Sequence, residues 1–427
     1  MKKNKAKRIG IDARLYGPIG KGLGRYTQEL VDNIIKIDQE NEYVIFLGKD
    51  NFDEFPCSDK RVKKVLAKVK WYTLAEQIIM PYLIMRARVD LMHFPHFNAP
   101  MFCPKKFVVT IHDLILTKFP TKRATTLAPL FYKIKNIFYK INIWTAIKRA
   151  QKVIAVSRYT KQEIIKYFKA KPSKIVVTYE GVANLAKGRD SLFAAKLDDK
   201  DTLLGYNIDN PFLLYVGNAY PHKNLEGLIK VFSKLRLSIN NDLLIDKKFR
   251  KIKENQTTPN PSLSKEGGDS QNLSNIKLVL VGKEDYFYKR VKQYAKDLGC
   301  NNNKNNFVLF PGYVPDIRLE VLYKKALVYV FPSFYEGFGL PPLEAMAKGC
   351  PVVSSNKTCM PEILGKAAIY FNPDNEDEML KKIKKVIGDK DLRSDLVKKG
   401  RSQIKKFSFW EMARETWGVY NSVLNKK

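Results

Sequence analysis

The stretch Phe334-Tyr-Glu-Gly-Phe-Gly-Leu-Pro-Pro-Leu-Glu344 decides the fold class, because it predicts the link between a buried strand and a helix. An apolar run, Leu327 to Phe331, precedes it and predicts the strand. Gly337 and Gly339 allow the backbone to approach a bound group closely. The two prolines that follow lie in the first turn of a helix predicted to begin at Leu340, where their missing N–H groups cost little.

The same stretch predicts an anion site at the carboxyl end of that strand. The N–H groups of Phe338, Gly339 and Leu340 open the helix, and helix N-termini bind phosphate. Glu336 precedes these groups and Glu344 lies about one turn inside the helix, so both carboxylates can bracket one elongated ligand. The alternative is a structural Gly-Pro turn with two solvated glutamates.

Length and composition indicate a globular protein of two domains. The chain has 427 residues, 45% of them hydrophobic and 12% aromatic. Its five cysteines show no paired spacing, which favours reduced thiols in a cytoplasmic protein. The basic N-terminus lacks the apolar segment of a signal peptide, and no window is apolar enough to span a membrane.

The net charge of +33, from 76 Lys and Arg against 43 Asp and Glu, leaves three explanations open. They are nucleic acid, an anionic membrane surface, and a compositional bias toward lysine. The lysines are spread along the chain, and no nucleic-acid motif accompanies them, so no nucleic-acid partner is expected. Charge alone predicts attraction to anions.

Strand-like and helical segments alternate along the chain, which is the pattern of parallel sheets with helical crossovers. The alternation stops between about residues 184 and 210 and then resumes. We therefore expect an α/β protein with two Rossmann-like domains, 1–185 and 186–408, and a helix over 409–427 that returns toward the first domain. The predicted strands are Arg8–Ile11, Tyr43–Leu47, Leu91–Phe94, Phe107–Ile111, Val153–Val156, Ile175–Thr178, Phe212–Val216, Lys277–Val281, Val308–Phe310, Leu327–Phe331 and Pro351–Ser355.

The segment 238–275 departs from this pattern. It is rich in Asn, Ser, Pro and Gly, cannot bury a core, and predicts a flexible surface insertion in the second domain.

A glycine-rich segment from Gly17 to Tyr26 follows the first predicted strand and precedes a helix. This arrangement can present backbone N–H groups to phosphate, although a tight structural turn explains it equally well. Its spacing differs from the dinucleotide fingerprint, which argues against a nicotinamide enzyme.

All four histidines, His93, His96, His112 and His222, fall at strand ends or turns. His112 lies at the carboxyl edge of a predicted strand, where α/β proteins bind ligands, so we expect it to be functional. His93 fits a structural or a functional role. A metal site formed by His93, His96 and Asp113 is a weak alternative, because no helical HxxxH pattern accompanies it.

Lys223 follows the first strand of the second domain and precedes Asn224, a predicted helix N-cap. There its amine can add a point charge to a phosphate already held by backbone donors. A solvated surface lysine is the alternative.

Taken together, these motifs resemble the family 4 glycosyltransferases of the GT-B fold, which have two Rossmann-like domains and an inter-domain cleft. The resemblance covers the chain apart from 238–275. Within the family, the segments around His93 and Gly217 are similar to those of mannosyltransferases. The matching segments are 9–14, 22–26, 93–98, 109–114, 154–157, 215–224 and 336–344.

The resemblance implies that the second domain binds a nucleotide-diphosphate sugar. Glu344 would accept hydrogen bonds from the ribose and Glu336 would hold hydroxyls of the donor sugar. Lys223, with the N–H groups of Gly339 and Leu340, would offset charge on the leaving diphosphate.

The resemblance also assigns roles outside that motif. Val314 would meet the base through its main chain, His112 would contact the sugar near the reacting carbon, and Gly22 would approach the phosphate or the acceptor. The expected donor-binding residues also include Gly217, Asn218 and Phe338. Many relatives carry arginine where this chain has Asn218 or His222, so the diphosphate would depend more strongly on Lys223; we expect His222 to be partly protonated near neutral pH. The family transfers with retention, and neither cofactor nor metal is expected.

The segment Leu127 to Arg149 is aromatic, basic and roughly helical in period. It predicts either a helix lying on an anionic bilayer or a crossover helix with one buried side. The first alternative would place the protein in the cytoplasm, peripherally on the inner face of the plasma membrane.

The sequence thus predicts a retaining glycosyltransferase that moves a hexose, with mannose from GDP-mannose as the favoured donor, onto a polysaccharide or lipid-linked glycan. The alternatives are a sugar-nucleotide 2-epimerase of similar architecture and a basic nucleic-acid-binding protein.

Overall fold

Two parallel β-sheets organise the chain in a computed structural model that describes residues 6–118, 129–182, 198–254, 273–302 and 306–425, without the side chains of 19, 21, 129–135 and 240–254. The chain divides into two compact units. Unit 1 comprises Met1–Ala183, Glu336–Leu340 and Lys405–Lys427, and unit 2 comprises Asn184–Tyr335 and Pro341–Ile404.

The sheet of unit 1 has seven parallel strands in the order β3-β2-β1-β4-β5-β6-β7. The strands are β1 (Arg8–Asp12), β2 (Glu42–Leu47), β3 (Val62–Leu66), β4 (Leu91–Phe94), β5 (Phe107–Ile111), β6 (Lys152–Ala155) and β7 (Ile175–Val177). The helices among them are α1 (Lys21–Ile37), α2 (Glu76–Ala87), α3 (Ile115–Lys118), α4 (Pro129–Arg149) and α5 (Arg158–Phe168).

Alternate residues of these strands face two separate cores. On one side, Met92 and Phe94 of β4 pack with the buried faces of α2 and α4. On the other side, Leu91 packs with α1 and with the C-terminal helix Phe409–Leu424. A parallel sheet covered by helices on both faces explains why its strands are continuously apolar.

The sheet of unit 2 repeats the same order with six parallel strands, β10-β9-β8-β11-β12-β13. Its strands are β8 (Phe212–Val216), β9 (Lys277–Val281), β10 (Val308–Gly312), β11 (Val328–Phe331), β12 (Val352–Ser355) and β13 (Ala368–Phe371). The remaining helices are α6 (Asp199–Leu204), α7 (Leu225–Glu254), α8 (Tyr286–Asp297), α9 (Asp316–Lys325), α10 (Leu340–Ala347), α11 (Met360–Leu364), α12 (Glu376–Gly388), α13 (Lys390–Gln403) and α14 (Phe409–Leu424).

The order 3-2-1-4-5-6 recurs in both sheets and is that of doubly wound nucleotide-binding folds. In each sheet the direction of winding reverses between the first and fourth strands. Those positions are β1 beside β4 in unit 1 and β8 beside β11 in unit 2. Ligands of such folds bind at the carboxyl ends of these two strands, so the topology predicts one site in each unit.

All eleven predicted strands are present to within two residues at either end, and Ser157 caps α5 by accepting a hydrogen bond from the Thr160 N–H, as predicted. Strands β3 and β13 were not predicted. The expected irregular stretches at 184–210 and 238–275 contain helix α6 and the end of α7, respectively; residues 183–197 and 255–272 lie outside the described chain. In the described part of the chain, none of the helices has the length and apolarity needed to cross a bilayer.

Candidate functional site

The reversal point of unit 2 joins two of the sequence motifs. The loop after β8 carries Lys223, and the loop after β11 runs through Phe334. The Phe334 N–H donates to the His222 carbonyl at 2.8 Å, and the Lys223 amine lies 5.7 Å from the centre of the Phe331 ring. Lys223 is therefore held at the carboxyl ends of the two strands where the topology predicts a ligand.

Gly217 lets two chain segments meet at this edge. Its carbonyl would lie 2.1 Å from a Cβ on Gly282, and its own Cβ would meet the Tyr215 hydroxyl at 2.6 Å. The Tyr215 hydroxyl donates to the Asn218 carbonyl at 2.8 Å. Any larger residue at 217 or 282 must displace neighbouring atoms, so this segment presents mainly backbone at the ends of β8 and β9.

His222 is neutral in this structure, contrary to the expectation of partial protonation. Burial, with the Lys223 charge as a second cause, lowers the pKa of His222 to about 3. Lys223 is thus the cationic side chain of the Pro221–Lys223 turn. Asn224 directly precedes helix α7, where the N-cap was predicted, and its carbonyl accepts from the Leu228 N–H at 3.1 Å. Its φ is 58°, and its amide donates to the Pro373 carbonyl at 3.2 Å.

Glu344 and Glu336 are both buried, with exposed fractions of 7% and 8%, so neither is a solvated glutamate. Helix α10 begins at Leu340 as predicted, and Glu344 in it accepts a hydrogen bond from the Tyr323 hydroxyl at 3.3 Å. Val314 is buried after β10. Carboxylates are buried only at a cost, which indicates a role beyond solubility.

The segment 336–340 is held in unit 1 by contacts of its backbone and of the Phe338 ring. The Ser157 hydroxyl donates to the Gly337 carbonyl at 2.7 Å, and a Cβ on Gly337 would lie 1.9 Å from the His112 carbonyl. Phe338 packs edge-on against Phe407 at 5.6 Å. Gly339 has φ 98°, a conformation that favours glycine.

His112 carries two hydrogen bonds that require a charged ring. Its Nδ1 lies 2.8 Å from Glu180 Oε1 and its Nε2 lies 2.9 Å from the Pro95 carbonyl. Since both partners are acceptors, both nitrogens donate and the imidazole is protonated. Burial alone would lower the pKa of His112, but the hydrogen bond and charge of Glu180, with the Pro95 carbonyl, raise it above its ordinary value.

His93 has a structural position. Its ring is fully buried, with Nδ1 2.6 Å from the Tyr420 hydroxyl and Nε2 2.9 Å from the Thr110 hydroxyl. Burial lowers its pKa to about 3, so it stays neutral. The alternative of a His93–His96–Asp113 metal site gains no support, because among the described residues no three His, Cys, Asp or Glu side chains are grouped so that they could hold a metal ion.

The reversal point of unit 1 holds a small pocket. It is lined by Asp12, Leu15, Trp71, Pro95, His96 and Asn98. Beneath it lies a buried ion cluster, in which Arg14 contacts Asp12 at 2.6 Å and Glu76 at 2.5 Å. The Asn98 amide donates to Glu76 at 2.7 Å, which ties the pocket wall to the cluster.

Gly22 lies inside the first turn of α1, not in the loop that was expected before it. No atom lies within 4 Å of where its Cβ would be, so the helix surface is open there. Gly24 packs tightly, since a Cβ on it would lie 2.1 Å from the Gly17 carbonyl. Gly22 thus leaves backbone accessible near the N-terminus of α1.

Comparison with protein families accounts for both units. Residues 20–183 match the model described as Glycosyltransferase Family 4, and residues 261–403 match Glycosyl transferases group 1. The chain belongs to these glycosyltransferase families. The predicted family and the predicted GT-B class of two Rossmann-like domains are confirmed, and the assignment favours glycosyl transfer over the epimerase and nucleic-acid alternatives.

Relatives of this glycosyltransferase include bacterial polysaccharide enzymes. It is 25% identical to O-antigen chain mannosyltransferase B of Escherichia coli, over 93% of this chain and 95% of that one. It is 26% identical to O-antigen chain mannosyltransferase RfbU of Salmonella typhimurium, over 75% and 71%. Its fold resembles Anabaena HepE, solved in complex with UDP and glucose, with a TM-score of 0.64, 17% identity and coverage of 98% and 100%.

Several residues of the glycosyltransferase were not predicted from the sequence. Glu180 lies 68 positions from its partner His112, and Glu76 lies 62 positions from Arg14. Trp71 belongs to no motif. Arg14 and Asn98 were identified only as parts of matching segments. The available signal for Glu180 was its position three residues past the strand Ile175–Val177, at the sheet edge that also carries His112.

Proposed function

We propose that this glycosyltransferase transfers mannose from GDP-mannose, with retention of configuration, to a polysaccharide or lipid-linked glycan. The observation that carries the choice of sugar is its similarity, over 93% of the chain, to an O-antigen chain mannosyltransferase. The observation that carries the choice of a diphosphate donor is the position of Lys223 at the reversal point of unit 2.

In this proposal the donor lies at the carboxyl ends of β8 and β11. The Gly217–Asn218 backbone passes the diphosphate closely, and Lys223 supplies positive charge to it. The N–H groups of Gly339 and Leu340 at the start of α10 add donors to the same group. Glu344 holds the ribose, Val314 meets the base through its backbone, and Glu336 holds the donor sugar.

The transfer itself uses the leaving group as the base. An acceptor hydroxyl oxygen attacks the anomeric carbon from the face that the diphosphate leaves. The old bond from that carbon to the phosphate oxygen breaks, the new glycosidic bond forms, and the hydroxyl proton passes to the leaving phosphate. The products are the mannoside, with its configuration retained, and GDP. Charge building on the diphosphate is offset by Lys223 and by fixed dipoles, so we propose that the reaction requires no metal.

His112 is proposed to stand beside the donor sugar as a fixed cation. Its charge follows from the Glu180 and Pro95 hydrogen bonds, which also prevent the ring from turning. A group with both nitrogens engaged is a poor general base, which agrees with a mechanism in which phosphate takes the proton.

The acceptor is proposed to enter at the unit 1 pocket. Trp71 provides an aromatic surface, and Asp12, His96 and Asn98 provide polar groups around it, which is the composition expected of a site that orients a sugar. Gly22, at the open start of α1, can approach the same acceptor or the phosphate. A lipid-linked acceptor would place the enzyme in the cytoplasm, on the inner face of the membrane.

The donor is tested by thermal unfolding with GDP-mannose, UDP-glucose and ADP-glucose at matched concentrations. A ligand at 100 times its Kd stabilises the folded protein by about 2.7 kcal/mol, so the true donor raises Tm by several degrees. GDP-mannose should give the largest increase, and transfer should persist in EDTA. A larger increase with UDP-glucose would replace the proposed donor, and loss of transfer in EDTA would overturn the metal-free mechanism.

A further inference from the structure

We propose that helices α2 and α4 of unit 1, with the loop 95–106 between them, form a docking surface for an anionic lipid bilayer. The apolar face of this surface is defined by three exposed side chains from each helix. They are Ile78, Tyr82 and Met85 of α2 and Ile137, Ile141 and Trp144 of α4.

Helical spacing separates this apolar face from the core. In α2 the exposed residues recur at intervals of four and three, while Met80 and Ile84 point into the unit 1 core. In α4 the same intervals separate the exposed residues, while Ile143 and Ile147 are buried. The face is therefore a second apolar side on helices whose first side is already satisfied by the sheet.

Hydrogen bonds place the two helices around one loop. Gln77 of α2 accepts from the Met101 N–H at 2.8 Å, and Asn142 of α4 donates to Asn98 at 3.0 Å. Phe102, next in this loop, is 78% exposed. The Arg149 guanidinium from the end of α4 lies 5.9 Å from the centre of its ring. The loop that carries Phe102 is thus bonded to both helices.

The number of exposed apolar side chains distinguishes a patch from ordinary scatter. Among the described residues, eighteen large hydrophobic side chains are exposed, and ten of them lie within 72–102 and 137–144. Single exposed hydrophobic residues need no explanation, but a contiguous patch of this size marks an interaction surface.

The charges around the apolar face have one sign. The exposed charged side chains described on the two helices are Arg86, Lys140, Lys148 and Arg149. The sequence of α4 contains no Asp or Glu, and the one carboxylate of α2, Glu76, is buried against Arg14. The Lys148 amine lies 4.9 Å from the Trp144 ring, so cation and aromatic group are presented together.

This combination fits an anionic bilayer better than a second copy of the chain. A twofold dimer through the face would bring the cations of both copies together without any carboxylate to pair them. Anionic headgroups neutralise lysine and arginine, while tryptophan, tyrosine and aliphatic groups enter the boundary between headgroups and acyl chains. The surface also adjoins the proposed acceptor pocket, because Pro95, His96 and Asn98 of the loop 95–106 line that pocket.

The test is sedimentation of the full chain with vesicles, without donor or acceptor, so its outcome is independent of the transferase proposal. Vesicles of phosphatidylcholine with 30 mol% phosphatidylglycerol are compared with pure phosphatidylcholine. The wild type should bind the anionic vesicles at least about tenfold more tightly, and high salt should weaken this binding.

Matched variants locate the surface. Trp144→Glu, and separately Lys140→Glu with Lys148→Glu, should each weaken binding to anionic vesicles at least about tenfold. Trp410→Glu, at a similarly exposed tryptophan of α14, and Lys381→Glu with Lys385→Glu on α12 should leave it within about threefold. Since all these side chains are exposed, unchanged Tm values will show that the variants fold.

Three results would overturn the proposal. They are failure of the wild type to bind anionic vesicles, equal losses in the α4 and control variants, and a dimer that Trp144→Glu converts to monomer while vesicle binding is unchanged. The last result would assign the face to a second copy of the chain.

Discussion

The reversal points of the two sheets have the same topology and different chemistry. In unit 2, the point between β8 and β11 presents glycine backbone and the cationic side chain of Lys223. In unit 1, the point between β1 and β4 presents an aromatic ring and several polar side chains above a buried ion cluster. The first combination suits a diphosphate, whose oxygens accept from any donor, and the second suits a sugar, whose hydroxyls need individually placed partners.

The difference also concerns where the residues come from. The proposed donor site takes its residues mainly from two short segments, 217–223 and 336–344. Unit 1 assembles its pocket from positions 12, 71, 96 and 98, which come from three separate stretches of chain. A site for a common ligand can thus be encoded locally, whereas a site for a particular acceptor depends on the tertiary fold.

The largest expected effect comes from removing the proposed donor-site groups. Glu336→Ala should abolish transfer, and Lys223→Ala should lower kcat by about 10²–10³, the usual loss when one positioned charge is removed. Steady-state kinetics with GDP-mannose and Tm measurements check both variants. Glu336→Ala must retain a wild-type Tm for the loss to be assigned to chemistry.

Lys283→Ala is the matched control, since Lys283 is exposed two residues after β9 at the same edge of the sheet. It should keep wild-type kcat. If Lys223→Ala and Lys283→Ala behave alike, the reversal point of unit 2 has no special role, and the comparison between the two sites fails.

The next largest effect is a loss of stability when the buried ion cluster of unit 1 is broken. Arg14→Met leaves Glu76 buried without its cationic partner, which should lower the free energy of unfolding by about 3–5 kcal/mol. Urea unfolding of the full chain measures the loss. Arg8→Met removes an exposed pair with Glu42 and should cost less than about 1 kcal/mol. Similar losses in both variants would mean that the buried cluster does not stabilise the pocket floor.

Most of the fold could be predicted from the sequence. The strands were predictable because parallel strands buried on both faces are continuously apolar. Strand β3, Val62–Leu66, was missed because it is half-exposed and contains Lys63 and Lys64. Strand β13, Ala368–Phe371, was also missed; it lies at an edge of its sheet, and its two middle residues are only partly buried.

The sequence could indicate candidate site residues only where these residues are neighbours in a short motif. The protonation of His112 and His222 was not, because it depends on burial and on partners such as Glu180 that are distant in sequence. The helical position of Gly22 was missed because glycine is a poor helix former.

A moderate effect separates acceptor from donor. Trp71→Ala removes the aromatic side of the unit 1 pocket and should raise the KM for the acceptor about tenfold, equivalent to about 1.4 kcal/mol. The increase in Tm caused by GDP-mannose should be unchanged. An equal loss of donor stabilisation would contradict the assignment of separate sites to the two units.

The smallest effect is a difference in pH dependence between histidines at the two sheet edges. The pKa of His112 is raised in the folded protein, so its stabilisation is complete below about pH 6.5 and is lost as pH rises through the folded value. Glu180→Gln removes the charge that raises this pKa. The stability deficit of that variant should therefore be larger at pH 6 than at pH 9, by about 1.4 kcal/mol if the pKa of His112 falls by one.

His222 should behave in the opposite way. Its folded pKa is about 3, so as pH falls below about 6.5 the unfolded chain gains a proton that the folded protein does not accept, and stability decreases. His222→Gln should lose less stability than the wild type between pH 6.5 and pH 4.5. Urea unfolding of the wild type and both variants from pH 4.5 to pH 9 compares the two histidines, because the titrating groups that the variants share with the wild type cancel in the differences. Deficits with the same pH dependence in both variants would show that the two edges do not hold their histidines in different charge states.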